Sequence, residues 1–354
     1  WKLMKKLLLI ATVYRCGERI YSTIPELSTI LDIDLLVINQ MSSKCAWYGD
    51  VDPRKAFHNS YDKYFDNIYD AGMQSVNTVF INNVINGISQ YDLILYDDNR
   101  IGQGIDKIYT IANNNNIPMI GCTHGAGRSD IKGLGKVYDY LFAFGNTDVN
   151  VHGMNPYIKK VGIPSNDVLK TYKQTNEHIL VIVNFLGNRA SKPSISVHVD
   201  KDFISHVGLK QLQKEFNKKI VFKLKSRQDY PYPERDISYL HSIIDGELDY
   251  EIVIDGDNNK LIAESFIVIS CPSTLSFKPI QLGIPTVLIK GTQSPSVYFD
   301  SFTGLVDLDT QVIFNEIQRQ YDHGKDIQFI LDNIEGGIDF NSTEHFIKAI
   351  QEII

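Results

Sequence analysis

The sequence predicts an α/β fold with two domains, each built around a parallel β-sheet. The chain has 354 residues, which is long for one hydrophobic core and sufficient for two. Short continuous apolar runs are typical of strands that are covered on both faces. These runs alternate with segments of helical periodicity, and that alternation indicates parallel sheets. Two such halves imply a cleft between them, and ligands of parallel sheets bind at the carboxyl ends of the strands.

The first half begins with a predicted buried strand, Leu7–Val13. Lys5 and Lys6 precede this apolar run as they would in a signal peptide, but the run is short and no small-residue cleavage site follows it. The other predicted strands of this half are Leu35–Asn39, Tyr91–Tyr96, Ile117–Cys122, Tyr140–Phe144 and Val161–Ile163. The predicted helices are Ile20–Leu31, Ala56–Ala71, Val76–Ile88 and Ile105–Asn113.

The second half repeats the alternation of strands and helices. Its segment Ile267–Lys290 contains a buried strand, a loop of Ser and Thr, a short helix, a Gly-Ile-Pro turn and a second buried strand. The other predicted strands are Ile179–Asn184, Ile220–Leu224 and Tyr250–Ile254. The predicted helices are Lys201–Asn217, Ile237–Ile244, Lys260–Glu264, Val312–Tyr321, Asp326–Asn333 and Thr343–Ile353.

The polar, lysine-bearing segment Ser165–Glu177 is the predicted linker between the two halves. We therefore expect an N-terminal domain of residues 1–168 and a C-terminal domain of residues 169–335. Residues 336–354 are predicted to form a C-terminal helix that could pack back on the N-terminal domain.

Composition excludes several classes of protein. The formal net charge of −7 argues against a broad electrostatic grip on nucleic acid. The four cysteines show no CxxC spacing and no cluster with histidine, so we predict no zinc site and a reducing compartment. No apolar run is long enough to span a bilayer, and a cytoplasmic protein is expected. Asp255-Gly256-Asp257 is similar to a DxD metal motif, but DG pairs form turns, so we predict a turn here and no metal.

Polar and basic residues follow three strands of the second half where each strand ends. A loop that opens a helix presents free backbone N–H groups, and phosphate is a common ligand of such groups. The predicted binding residues are Gly187 and Arg189 after the first strand, Lys223, Lys225 and Arg227 after the second, and Ser273, Thr274, Ser276 and Lys278 after the third. Cations and helix N-termini at adjacent strand ends favour a diphosphate ligand. The alternative is an ordinary βαβ unit with a polar cap.

Three residues of the first half are candidates for catalysis. His124 lies in the glycine-rich turn THGAGR after a predicted strand, where it can act as a general base near neutral pH or simply bond to the backbone. Asp98 ends another strand beside Asp97, where it can act as a base, orient His124, cap a helix or lie in a solvated loop. Glu18, near Arg15 and Arg19, can act as a base or belong to an ion-paired surface turn.

Several segments together resemble the GT-B superfamily of glycosyltransferases. YDLILYDD and IANNNNIPMIGCTHGAG are similar to its N-terminal stretch before a histidine-bearing loop. VGIPSNDVL, IVFKLKSR and IVISCPSTLSFKPIQLGIPTVLI are similar to segments of its CDP-glycerol glycerophosphotransferase and UDP-N-acetylglucosamine 2-epimerase branches. Lys278 stands where many of these relatives have an acidic residue that holds the donor ribose.

The resemblance implies two Rossmann-like domains with parallel sheets facing across a cleft, the first for the acceptor and the second for a nucleotide-sugar donor. It implies a metal-independent glycosyltransferase that uses no cofactor, takes a nucleotide-diphosphate sugar (UDP is favoured) and transfers the sugar to a glycan, a lipid-linked compound or another hydroxyl compound. A nucleic acid acceptor is disfavoured by the net charge. The alternatives are a sugar-nucleotide 2-epimerase, a CDP-glycerol-type phosphotransferase, and a binding protein that kept the fold without catalysis.

Overall fold

The structure of the chain is a computed structural model, and it divides into two compact units. The residues described are 4–12, 20–38, 77–78, 81–98, 105–123, 138–152, 157–183, 185–186, 198–199, 201–224, 233–244, 246, 248–290 and 297–354. Unit 1 contains the described residues up to Asp167 together with Leu331–Ile354, and unit 2 contains those between Val168 and Ile330. The predicted helix Ala56–Ala71 lies outside the described residues.

Unit 1 is built on a seven-stranded parallel sheet. Its strands are β1 (Lys5–Thr12), β2 (Leu31–Ile38), β3 (Asn77–Thr78), β4 (Leu93–Tyr96), β5 (Met119–Cys122), β6 (Tyr140–Ala143) and β7 (Ile158–Lys160). They are arranged in the order β3-β2-β1-β4-β5-β6-β7. The strand order therefore reverses between β1 and β4, which is the switch point of a Rossmann sheet.

The helices of unit 1 cover both faces of this sheet. They are α1 (Ile24–Leu27), α2 (Ile81–Gly87), α3 (Ile105–Asn114), α4 (Asn146–His152) and, at the end of the chain, Ser342–Ile353. Leu7 and Leu9 pack in a core that includes the C-terminal helix, whereas Leu8 and Ile10 pack in a second core with α2 and α3. The side chains of a strand alternate between its faces, so a strand covered on both sides is apolar throughout.

Unit 2 contains a six-stranded parallel sheet and a separate pair of short strands. The strands are β8 (His178–Ile182), β9 (Phe185–Leu186), β10 (His198–Val199), β11 (Lys219–Lys223), β12 (Tyr250–Val253), β13 (Ser265–Ser270), β14 (Thr286–Ile289) and β15 (Leu305–Val306). The sheet has the order β12-β11-β8-β13-β14-β15, and β9 pairs with β10. This is again a Rossmann order, with the switch point between β8 and β13.

The helices of unit 2 also form two layers. They are α5 (Lys201–Val207), α6 (Leu209–Phe216), α7 (Pro233–Ile243), α8 (Asn258–Ala263), α9 (Phe277–Leu282) and α10 (Thr310–His323). The next helix, α11 (Ile327–Asn333), spans the boundary of the units in the sequence, and α12 is the C-terminal helix of unit 1, Ser342–Ile353. Ile179 and Val181 of β8 pack in the core with α5, α6, α7 and α10, and Leu180 and Ile182 pack in the core with α8 and α9. Within the described ranges, no helix has the length and apolar character needed to cross a bilayer.

The structure corrects four elements that the sequence predicted. The single helix Lys201–Asn217 is instead α5 and α6, because Gly208 adopts φ +68° and ends the first of them. The segment Ile20–Leu31 forms only a 3₁₀ turn and α1, and Leu31 already begins β2. After Leu27 the backbone changes to i→i−3 bonds, from Thr29 to Glu26 and from Ile30 to Leu27, and the Ser28 hydroxyl donates to the carbonyl of Pro25. The last strand of unit 1 is β7 (Ile158–Lys160) and not Val161–Ile163. Asn77–Thr78, which was predicted to lie in a helix, forms the short strand β3.

The boundary between the two units, Asp167/Val168, falls within the predicted linker Ser165–Glu177, and the first residues of that segment belong to unit 1. Pro164–Thr171 is a 3₁₀ helix, and Asp167 is buried against the start of α12. Gly162, just before this segment, has φ +73°, and a Cβ atom on it would lie 2.0 Å from the carbonyl oxygen of Glu335. Only glycine fits this close approach, which explains the Gly of the VGIPSNDVL segment.

Candidate functional site

The carboxyl edge of the unit 2 sheet brings together the three strand ends that the sequence singled out. β8 pairs with β11 on one side and with β13 on the other, and all three run parallel. Their carboxyl ends therefore lie next to one another at the switch point of the sheet. Ligands of open α/β sheets bind in the crevice at this point.

The loop after β13, which we call the serine loop (Cys271–Ser276), forms one side of this edge. The Ser276 side chain is fully buried, and its hydroxyl donates to the carbonyl of Cys271 at 3.1 Å. The hydroxyl oxygen of Ser276 also accepts the backbone N–H of Ser273 at 3.2 Å. Ser273 and Thr274 remain partly exposed. The loop thus presents two hydroxyl side chains, and its backbone is held by the buried hydroxyl of Ser276.

A helical segment begins directly in the serine loop. The 3₁₀ turn Thr274–Ser276 continues into α9, so its first amides lie at the carboxyl edge of β13. N–H groups in the first turn of a helix have no partner within the helix and carry partial positive charge. Phe277 anchors the segment by stacking on Phe299 at 4.9 Å and on Phe329 at 6.0 Å. The base of the loop is therefore packed against aromatic rings of unit 2.

Two of the predicted lysines lie at the same edge, and both contact protein groups. Lys223 is 6% exposed, and its ammonium donates to the carbonyls of Leu224 at 2.7 Å and Ile254 at 2.5 Å. Lys278, in the first turn of α9, donates to the side-chain oxygen of Asn259 on α8 at 2.6 Å. Lys223 thus brings a buried positive charge to the ends of β11 and β12, and Lys278 joins the starts of two helices.

The Asp255-Gly256-Asp257 segment forms a bend and a helix cap. One Asp257 carboxylate oxygen accepts the backbone N–H groups of Asn259 at 2.9 Å and Lys260 at 3.1 Å, and the other accepts the Tyr172 hydroxyl at 2.7 Å. Capping of α8 is therefore a sufficient role for Asp257. In the part of the chain that the structure describes, no group of three or more His, Cys, Asp or Glu side chains is placed to hold a metal ion.

The switch point of unit 1 carries two buried carboxylates. Asp97 and Asp98 follow β4 and are 5% and 1% exposed, so Asp98 does not lie in a solvated loop. The backbone of Asp97 donates to the carbonyl of Ile10, and the carbonyl of Asp98 accepts from Cys122. Asp98 therefore lies at the carboxyl edge of the sheet, where parallel sheets place catalytic groups.

Comparison with known proteins shows similarity in structure alone. No family model and no curated protein matches the sequence. Among solved structures, the UDP-GlcNAc 2-epimerase from Neisseria meningitidis bound to UDP-GlcNAc is 13% identical, with a TM-score of 0.59 over 98% of this chain and 100% of that one. The UDP-GlcNAc 2-epimerase from Methanocaldococcus jannaschii is 11% identical, with a TM-score of 0.63 over 98% and 99% of the two chains. A glycosyltransferase from Rickettsia africae is 11% identical, with a TM-score of 0.58 over 99% of each chain.

The chain has the GT-B fold. The similarity extends over nearly the whole length of the chain and of each of these structures. It confirms the fold class and the resemblance that the sequence motifs indicated. At 11–13% identity the similarity establishes the fold only, so the substrate and the reaction must be argued from the residues of this chain.

Six of the predicted site residues of this GT-B chain lie outside the described residues, and they stay predictions. They are Glu18, His124, Gly187, Arg189, Lys225 and Arg227. The structure also adds two residues that the sequence did not suggest, Ser270 and Asn259. Ser270 donates to the carbonyl of Cys271 at 3.0 Å, and Asn259 is the partner of Lys278. The capping pattern Asp257-x-Asn259 marks a helix start, but no sequence signal connects it to Lys278.

Proposed function

We propose that unit 2 binds a nucleoside-diphosphate sugar at the serine loop and that the chain is a metal-independent glycosyltransferase. One observation carries the proposal: a loop with hydroxyl side chains, Ser273 and Thr274, opens a helical segment at the switch point of a Rossmann sheet. Backbone N–H groups and hydroxyls of the serine loop, together with the buried cation Lys223 at the end of β11, two strands away in the same sheet, match the acceptor oxygens and negative charge of a pyrophosphate. The predicted residues Gly187, Arg189, Lys225 and Arg227 would add to this site.

In the proposed reaction, a hydroxyl oxygen of the acceptor attacks the anomeric carbon of the sugar. The bond between that carbon and the β-phosphate oxygen breaks, and the electron pair leaves with the nucleoside diphosphate. N–H, O–H and ammonium donors at the phosphates stabilise the charge that grows on this leaving group. A general base takes the proton of the acceptor hydroxyl, and His124, Asp98 or Glu18 is proposed for this role. UDP is the favoured nucleotide, and the acceptor is a compound with a free hydroxyl.

A sugar-nucleotide 2-epimerase is the second candidate. Several structures that share the fold are UDP-GlcNAc 2-epimerases, and they cover nearly the whole chain. An epimerase converts the nucleotide sugar with no acceptor present, whereas a transferase requires one. Incubation with UDP-GlcNAc alone, followed by NMR, separates the two: an accumulating epimer favours the second candidate. Transfer that appears only when a hydroxyl compound is added favours the first.

Ligand-induced stabilisation tests the binding site itself. We expect one class among UDP-, GDP-, CDP-, ADP- and dTDP-sugars to raise Tm, because a ligand at 100 times its Kd stabilises the folded state by about 2.7 kcal/mol. Ser273→Ala should weaken that binding about tenfold, which corresponds to about 1.4 kcal/mol and to the loss of one hydrogen bond to a charged group. Ser238→Ala, an exposed serine on α7, is the matched control and should bind as the wild type does. Absence of any stabilisation would favour a binding protein for another ligand.

A further inference from the structure

The hydroxyl of Ser276 contacts two other residues of the serine loop, Cys271 and Ser273. Its side chain is fully buried, and three polar groups surround its oxygen: the Cys271 carbonyl at 3.1 Å, the Ser273 N–H at 3.2 Å and the Ser273 hydroxyl at 3.2 Å. A serine hydroxyl has one proton to donate and two lone pairs. The Ser276 hydroxyl donates to the Cys271 carbonyl and accepts the Ser273 N–H, and in its contact with the Ser273 hydroxyl either oxygen can be the donor.

We propose that Ser276 is a positioning residue that holds Ser273 in place to bind a diphosphate and does not itself contact the ligand. This inference rests on the proposed function. The two serines of the loop then have different roles: the buried Ser276 holds the backbone, and the partly exposed Ser273 supplies its hydroxyl to the phosphate oxygens.

The hydrogen-bond lengths indicate how Ser273 can change partner. Its hydroxyl lies 3.2 Å from the Ser276 oxygen, which is long beside the usual O–H···O distance of about 2.7–2.8 Å. A hydrogen bond to a charged phosphate oxygen is shorter and roughly twice as strong as a neutral one. The Ser273 hydroxyl can therefore turn to the ligand, while its backbone N–H stays bound to Ser276 and keeps the loop in shape.

Ser270, the last residue of β13, provides a matched control for Ser276. Its buried hydroxyl also donates to the Cys271 carbonyl, at 3.0 Å, so Ser270→Ala and Ser276→Ala each remove one bond to the same acceptor. Only Ser276→Ala also removes the acceptor of the Ser273 N–H. A difference in ligand binding between the two variants therefore reports on the position of Ser273.

The experiment measures the Kd of UDP and of uridine for the full-length wild type, Ser270→Ala and Ser276→Ala by calorimetry. We expect Ser276→Ala to lose at least tenfold in affinity for UDP and to keep the wild-type affinity for uridine. Ser270→Ala should lower Tm to a similar extent and bind both ligands as the wild type does. The selective loss is expected because the proposed contacts of the loop are with the phosphates, whereas a general weakening of the fold would lower both affinities.

Three results would overturn the inference. Equal UDP affinity in the two variants, with wild-type binding intact, refutes the positioning role alone, and so does an equal loss for UDP and uridine in Ser276→Ala. A wild-type chain that binds no nucleoside diphosphate refutes the proposed function and this inference with it. Ser276→Cys fills the same space with a weaker hydrogen-bonding group, so it tests the same selective loss if the alanine variant does not fold.

Discussion

Asp167 is expected to hold the C-terminal helix on unit 1, and its removal should release that helix. One carboxylate oxygen of Asp167 accepts the N–H of Ser342 at 3.0 Å, and the other accepts the N–H of Thr343 at 2.6 Å. These are the first amides of α12, which have no partner within the helix. Within the described residues, the local N-cap residue Asn341 makes no side-chain bond to the helix, so Asp167 serves as its cap from 175 residues away.

The size of the effect follows from the two bonds and their burial. Asp167 is 8% exposed, so water cannot readily replace it. Loss of an N-cap side chain typically costs about 0.5–2 kcal/mol, and an unsatisfied buried N–H costs about 1–3 kcal/mol. We therefore expect Asp167→Ala to lower the free energy of unfolding of unit 1 by about 2–4 kcal/mol. Asp167→Asn keeps one acceptor oxygen and loses the charge, and it should cost about half as much.

Hydrogen exchange read by mass spectrometry is the direct assay, because a chain of two units need not unfold in one step. Amides of Ser342–Ile353 should exchange faster in Asp167→Ala, by a factor of about ten for each 1.4 kcal/mol of lost free energy. Phe346 packs edge-on against Phe142 with ring centroids 5.0 Å apart, so protection around β6 should fall as well. Asp309→Ala removes the exposed cap of α10 and is the control, with an expected cost of about 1 kcal/mol.

The reasoning would be refuted if Asp167→Ala left the exchange of α12 unchanged while Asp309→Ala accelerated that of α10. Such a result would mean that packing of the apolar face alone fixes the C-terminal helix. An equal acceleration throughout unit 1 in Asp167→Asn and Asp167→Ala would also contradict it, since the number of remaining acceptors would then have no effect.

Two further predictions concern unit 2. Glu316 is buried and accepts two hydrogen bonds of 2.7 Å from the guanidinium of Arg319. Glu316→Ala should therefore lower the free energy of unfolding by about 1–3 kcal/mol. This is less than the usual cost of breaking a buried ion pair, because Arg319 is partly exposed. In urea titrations, Gln318→Ala on the exposed face of α10 should show no loss, and an equal loss in both variants would contradict the role of the pair. Burial lowers the pKa of His178, whose ring nitrogen lies 3.1 Å from the carbonyl of Leu261. Since the unfolded chain then binds more protons below about pH 6.5, stability should fall as the pH drops through that value, by at most about 1.4 kcal/mol per pH unit. His178→Gln should remove this slope in pH-dependent unfolding, and an unchanged slope would assign it to other groups.

Much of the fold could be predicted from local pattern. Apolar runs such as Leu93–Tyr96 form buried parallel strands, because a strand that is covered on both faces has apolar side chains on both faces. The serine loop was found in the same way, from a strand followed by Ser, Thr and a helix. The helix Lys201–Asn217 was predicted as one element, since a single Gly inside a periodic segment does not reveal a left-handed backbone.

The candidate site could be predicted in part. Ser273 and Thr274 were placed at the end of β13 by sequence, because the carboxyl ends of parallel strands are where ligands bind. The different role of Ser276 became visible only from its burial and its contact with Cys271. The partner of Lys278 was not predictable, because Asn259 precedes it by 19 residues on a different helix.

The sequence by itself determined most of the strands and helices that the structure describes, and that the sheets are parallel, because both depend on the spacing of apolar residues along a few turns of chain. The tertiary structure alone decided the strand orders that create two switch points, the cap that Asp167 gives to α12, and the close approach of Gly162 to Glu335. Each of these depends on groups that are far apart in the chain. Their free energy arises only when the fold brings them into contact, so no local pattern encodes it.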